Sequence, residues 1–150
     1  VPVRYSHTNL IARDWRRLVA FYTEVFDCSP VPPQRDQSGD WLSKGTGVPR
    51  AKLEGMHLRL PGWGDDGPTL EIYTFEETLG KPRPVAANRL GLGHIAFHVD
   101  DVGATHDRVI ALGGSELGDI VQHRVDGVGT LTFVYMTDPE GNVIEIQNWS

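Results

Sequence analysis

Cysteine is almost missing from this chain: Cys28 is the only one in 150 residues. One thiol excludes an intrachain disulfide and a thiolate-bound zinc cluster. Its place just behind a helical stretch reads as a half-buried structural thiol rather than a nucleophile. Positive charge is also short, with 14 Lys and Arg against 20 Asp and Glu and a net charge of -6. That balance disfavours nucleic acid as a partner, because phosphate backbones call for a basic surface. No apolar run approaches membrane-spanning length, and the opening VPVRYSHTNL lacks the charged-then-oily order of a signal peptide. The expectation is a cytoplasmic protein that binds neither membrane nor nucleic acid. What is present, 39% hydrophobic and 23% charged residues, is the composition of a globular domain with a real core, most simply a single one.

Periodicity divides the chain into two similar runs. The first starts with a strand-like RYSHTNLI, then RDWRRLVAFYTEVF, where Leu18, Phe21, Tyr22 and Val25 recur at helical spacing behind an N-cap at Asp14. Residues 29–50 are rich in Pro, Gly and charge and read as a long loop. Trp41 and Leu42 in its middle suggest a lid with an oily tip. Two strands follow, AKLEGMHLRL and PTLEIYTF, around the turn-rich PGWGDDG. Residues 77–90 read as a linker. The order then restarts: GHIAFHVDD as strand, DVGATHDRVIALGG as a helix capped by Asp101 and stopped by Gly113. IVQHRV is a short strand, and TLTFVYMT with NVIEIQNW form a hairpin around DPEGN.

The interval from His7 to His94 is 87 residues, and that from the cap Asp14 to the cap Asp101 is the same. The chain therefore reads as an α+β domain spanning 1–150, built of two βαβββ modules at about 1–76 and 91–150. Parity places the polar residues. Ile95, Phe97 and Val99 share one face of their strand, so His94 points the other way. Glu71, between Leu70 and Ile72, and Glu145, between Ile144 and Ile146, do likewise, and His7 matches His94. If each module curls and the two pair, the four strands line a common trough. Two His and two Glu are a sensible ligand set for one divalent ion, Zn, Ni, Co, Mn or Fe. His98 shares a face with His94, but four strand residues span about 13 Å, too far to share an ion. His57, His106 and His123 are assigned structural roles, with His106 solvated.

The stretches SHTNLIARDWRRLVAFYTEVF, TLEIY, GHIAFHVDD with ALGG, and TFVYMTDPEGNVIEIQNW resemble the vicinal oxygen chelate superfamily, and in overall run glyoxalase I and methylmalonyl-CoA epimerase. The resemblance implies the glyoxalase/bleomycin resistance/dihydroxybiphenyl dioxygenase-like fold, in which two modules pair into an incomplete barrel, and a homodimer. The family's metal positions fall on His7, Glu71, His94 and Glu145. Four protein ligands leave an octahedral ion two adjacent sites, suited to a small substrate chelating through vicinal oxygens. Such an ion stabilises an enediolate or enolate, while a carboxylate moves the proton, Glu145 first in line and Glu71 second. The expected activity is thus a metal-dependent lyase or isomerase of glyoxalase I type. Alternatives are an acyl-CoA epimerase with Glu54 as second base, an extradiol-type dioxygenase, and a metal-free drug-binding resistance protein. The positions at which similar bacterial glyoxalases hold glutathione fall on Ile11 and Phe75, which cannot bind a carboxylate, so use of a thiol cofactor stays open.

Overall fold

A computed structural model describes residues 3–150, so the first two residues of the segment tested for a signal peptide lie outside it. The chain forms two compact units, Val1–Gly80 and Lys81–Ser150. Unit one contains β1 (His7–Ile11), α1 (Trp15–Phe26), β2 (Ser29–Ser38), α2 (Asp40–Thr46), β3 (Lys52–Arg59) and β4 (Thr69–Phe75). Unit two contains β5 (Ile95–His98), α3 (Val102–Ala111), β6 (Ser115–Glu116), β7 (Val121–Val125), β8 (Gly129–Thr137) and β9 (Val143–Trp149). Each sheet is open, ordered β1-β4-β3-β2 in the first and β5-β9-β8-β6 in the second, with β7 also paired to β8. The class is α+β, and the two units share one topology. Among the described residues no helix is long and apolar enough to cross a membrane.

The helix starts are set by the expected caps. The Asp14 side chain accepts from the Arg17 N–H (3.1 Å), and the Asp101 side chain accepts from the Ala104 N–H (2.9 Å). Both caps sit in extended backbone, which satisfies a first-turn donor that the helix itself cannot. α1 buries Trp15, Leu18, Phe21, Tyr22 and Phe26 and packs on β3 and β4, whose Leu58, Leu70 and Ile72 are buried beneath. α3 buries Val102 and Val109 over β8 and β9, where Val134, Met136, Ile144 and Ile146 are fully covered. Both sheets therefore turn one face to a helix and leave the other face to polar and aromatic side chains.

The turn between β8 and β9 is tied by Asp138, whose carboxylate accepts from the Glu140 and Asn142 N–H groups at 2.8 and 3.0 Å. Gly141 there adopts φ 82°, left-handed backbone that glycine enters without strain.

Three expectations are corrected. Residues 29–50 are not a lid loop. Ser29–Ser38 pairs antiparallel with β3 as the sheet's last strand, and its Pro residues are tolerated because that edge has no further neighbour. Leu42 is buried in a small cluster with Ala51 and Leu53, leaving only Trp41 exposed. His106 is not simply solvated: its ring lies 3.1 Å from Glu116 and 3.2 Å from Asp107, because β6 carries Glu116 back past α3. Glu54 lies on the α1 side of its sheet, 3.8 Å from Arg16, so it cannot serve the opposite face as a base.

Candidate metal and proton-transfer site

Strand register brings the predicted residues together within each unit. In unit one, β1 and β4 run parallel with Asn9 opposite Glu71. His7 stands on the same face, and its Nδ1 is 3.2 Å from Glu71 Oε2. In unit two, β5 and β9 run parallel with Ala96 opposite Glu145. Ala96 is the residue 87 places after Asn9, so the two carboxylates occupy equivalent positions although the intervals between them and their histidines differ. His94, just ahead of β5, places Nε2 3.6 Å from Glu145 Oε1. Parity thus gives two His–Glu pairs, one in each sheet, both on the face turned from the helix. His98 is exposed and stands opposite Gln147, away from that pair.

The geometry of each pair suits a metal ion. Two ligands about 2.1 Å from one ion, at angles of about 90–110°, lie about 3.0–3.4 Å apart. The 3.2 Å of the first pair falls in that range, which is also that of a direct His–carboxylate contact such as His57–Glu71, and the 3.6 Å of the second lies just outside it. Among the described residues no three His, Cys, Asp or Glu side chains are grouped as ligands of one ion.

The surroundings of the carboxylates differ sharply. Glu71 is 7% exposed and sits opposite His57 across the β3–β4 pairing. His57 Nε2 is 3.3 Å from Glu71 Oε2 and 2.6 Å from the Tyr73 hydroxyl. On the other side of the ring, Arg35 Nη2 donates to His57 Nδ1 at 3.2 Å. A guanidinium only donates, so Nδ1 must accept and the ring proton sits on Nε2. The His57 Nε2–H then faces both the Tyr73 hydroxyl and the Glu71 carboxylate, so a ring proton is held against that carboxylate. Burial lowers the His57 pKa below its ordinary value; Glu71 opposes this, while Arg35 and His7 add to it. Burial, then the Glu71 charge, raises the Tyr73 pKa and keeps its hydroxyl protonated.

Gly55 makes room for this array. A Cβ there would stand 2.6 Å from the Tyr73 ring and 2.1 Å from the Ile72 carbonyl oxygen.

Among the described residues Glu145 has no such clamp. Tyr135 takes the place across the strand pair that His57 takes in unit one, and its ring stacks near His94 at 4.7 Å. Sequence reasoning missed His57, Arg35 and Tyr73. The usable signal for His57 was its parity with Leu58, which points it to the Glu71 face. Cys28 has the structural place expected of it: it is buried, and burial followed by Asp27 pushes its thiol up to about 12, far from a reactive thiolate.

The chain matches the Glyoxalase/Bleomycin resistance protein/Dioxygenase superfamily over residues 4–146. It is 29% identical over 155 residues to a probable lactoylglutathione lyase of Vibrio parahaemolyticus, covering 97% of this chain and 91% of that one. Its fold is similar to that of a glyoxalase family protein from Bacillus cereus (TM-score 0.83, 19% identity, 98% of this chain and 94% of that chain). A glyoxalase family protein from Enterococcus faecalis is also similar (TM-score 0.60, 19% identity, 96% of each chain).

Proposed function

The chain belongs to the glyoxalase/bleomycin resistance protein/dioxygenase superfamily, and on that premise we propose that it is a divalent-metal-dependent lyase or isomerase of glyoxalase type. Its substrate is a small molecule with vicinal oxygens and an acidic hydrogen on the carbon beside a carbonyl. The observation that carries this reading is the His–Glu pair repeated at equivalent places in two sheets, each at a spacing that suits ligands of one ion. His7, Glu71, His94 and Glu145 are the residues that would hold the metal, which is Zn, Ni, Co, Mn or Fe. Bound there, the ion would supply Lewis-acid stabilisation of negative charge developing on the substrate oxygens.

The carboxylates divide the remaining work. Glu71 is flanked by the His7 and His57 rings at 3.2 and 3.3 Å, so it keeps its place as substrate enters. Glu145, whose His94 neighbour stands 3.6 Å away, beyond hydrogen-bond distance, is the carboxylate that moves toward the substrate carbon, takes its proton and returns it to a neighbouring atom. The protein acts as a homodimer in the cytoplasm, and its partner is the small-molecule substrate. Metal analysis of untagged protein, with deuterium uptake from heavy water by α-carbonyl substrates, tests the reading. Absence of metal together with absence of exchange refutes it and favours a ligand-sequestering role. Stoichiometric oxygen uptake with a catechol and ferrous iron refutes it in favour of dioxygenation.

A further inference from the structure

On the face that carries Glu71, the cation Arg35 has no ion-pair partner among the described residues. It is half-buried at the point where β2 shifts register between Val31 and Arg35. Its Nη1 donates to the carbonyls of Val31 (3.1 Å) and Pro33, and its Nη2 donates to His57 Nδ1 (3.2 Å). A guanidinium has five N–H donors, so two remain. The neighbouring acid, Asp36, has the opposite strand parity and pairs in register with Glu54, which faces α1. The carboxylate of Glu71 is one imidazole away, on the far side of His57. A half-buried guanidinium aligned by two carbonyls and a ring nitrogen keeps two N–H groups that only solvent or an incoming anion can complete.

We infer that Arg35 anchors an oxyanion of the substrate, a carboxylate being the planar partner that fits its two open N–H groups, one imidazole beyond Glu71. This inference rests on the metal-dependent reading for the placement of the rest of the substrate, and it names the substrate class: an acid whose carboxylate lies several bonds from its chelating oxygens. The hydrophobic Ile11 and Phe75, which stand where glutathione-binding residues were sought, then cease to be an obstacle, since the anionic end is taken further along the same sheet. The β2 register shift serves this purpose too, because it directs the Val31 and Pro33 carbonyls onto Nη1 and so fixes the guanidinium plane.

Two measurements test the anchor. In the first, zinc-loaded protein is titrated calorimetrically with glutarate monohydroxamate and with its uncharged primary-amide counterpart. Wild type should favour the carboxylate about 10-fold or more, on the scale of hydrogen bonds to charged groups. Arg35→Met should make the two ligands equal while leaving the amide's affinity as it was, and Arg35→Lys should keep only part of the preference. No preference in wild type, or an equal loss for both ligands in Arg35→Met, overturns the inference. In the second, glutarate is added to the metal-free wild type and the Arg35 Nε–H signal is followed by NMR. A saturable shift at Arg35 supports the anchor even if neither hydroxamate binds the zinc-loaded protein, a result that would count against the metal reading alone. An unmoved Arg35 signal overturns the anchor whatever the metal does.

Discussion

Replacing Glu71 and Glu145 in turn by Gln should expose their different roles before any substrate is known. In the metal-free protein the His7 and His57 nitrogens stand 3.2 and 3.3 Å from Glu71 Oε2. Hydrogen bonds to a charged acceptor contribute about 1.5–3 kcal/mol each, roughly twice their neutral counterparts. Gln keeps a carbonyl oxygen for these donors but loses the charge, so two such bonds weakened by half cost about 1.5–3 kcal/mol. At Glu145 the nearest recorded partner is 3.6 Å away, beyond a normal hydrogen bond, and the same change should cost less than about 0.5 kcal/mol. Urea unfolding at neutral pH, followed by tryptophan fluorescence, measures both. Trp15, Trp41 and Trp63 report on the first unit and Trp149 on the second. A Glu71→Gln midpoint equal to wild type, or Glu145→Gln losing as much as Glu71→Gln, would show that the clamp does not hold the first carboxylate.

Metal analysis should find about one divalent ion per chain. His94→Ala should lose most of it while His98→Ala, at an exposed site opposite Gln147, keeps it; equal losses would break the parity assignment. In heavy water, Glu145→Gln should slow deuterium entry into an α-carbonyl substrate by about 10²-fold or more, the usual scale for a lost general base; normal exchange in that variant with loss in Glu71→Gln would reverse the two roles. Asp14→Ala and Asp101→Ala should each cost about 1 kcal/mol in urea unfolding, because both remove the same N-cap bond. The pKa of His57 is lowered in the folded protein, so the unfolded chain takes up that proton first. Stability linked to it is therefore complete above about pH 6.5 and declines as pH falls from there toward the folded value. His57→Gln should flatten that acid-side decline in the metal-free protein, and an unchanged slope would count against the lowered pKa.

The elements that were legible in the sequence are those whose signal is periodic or repeated. Both long helices announce themselves by apolar spacing and an aspartate cap, and the caps bond as capping chemistry requires. Strand parity gave the face of Glu71 and Glu145, because a side chain beside Leu70 and Ile72, or beside Ile144 and Ile146, has only the opposite face to occupy. The partnering of each histidine with the carboxylate of its own sheet came from the strand register. Ser29–Ser38 was not legible. An edge strand that is mostly exposed needs no apolar alternation, and SPVPPQRDQS has none. Nor was the neighbourhood of Glu71. His57 faces it through an antiparallel register, and Arg35 reaches His57 across a register shift in β2. Such contacts depend on how strands slide past one another, and sequence intervals do not encode that when the pairing includes a bulge.

The duplication explains how one scaffold can give two carboxylates different tasks. Equivalent positions in the two sheets carry Asn9 and Ala96, His57 and Tyr135, Tyr73 and Gln147. The apolar helix-facing side is alike in both units, since every change there would open a cavity or force a clash in a packed core. The opposite face has no such constraint, so its residues can differ without cost to the fold. In unit one they supply hydrogen-bond donors and surround a carboxylate that must stay put. In unit two they place the Tyr135 ring beside His94, with Glu145 3.6 Å from that histidine. Under the proposed function one carboxylate would hold and the other would move. Two copies of one module, kept alike on the packed side and altered on the open side, would provide both.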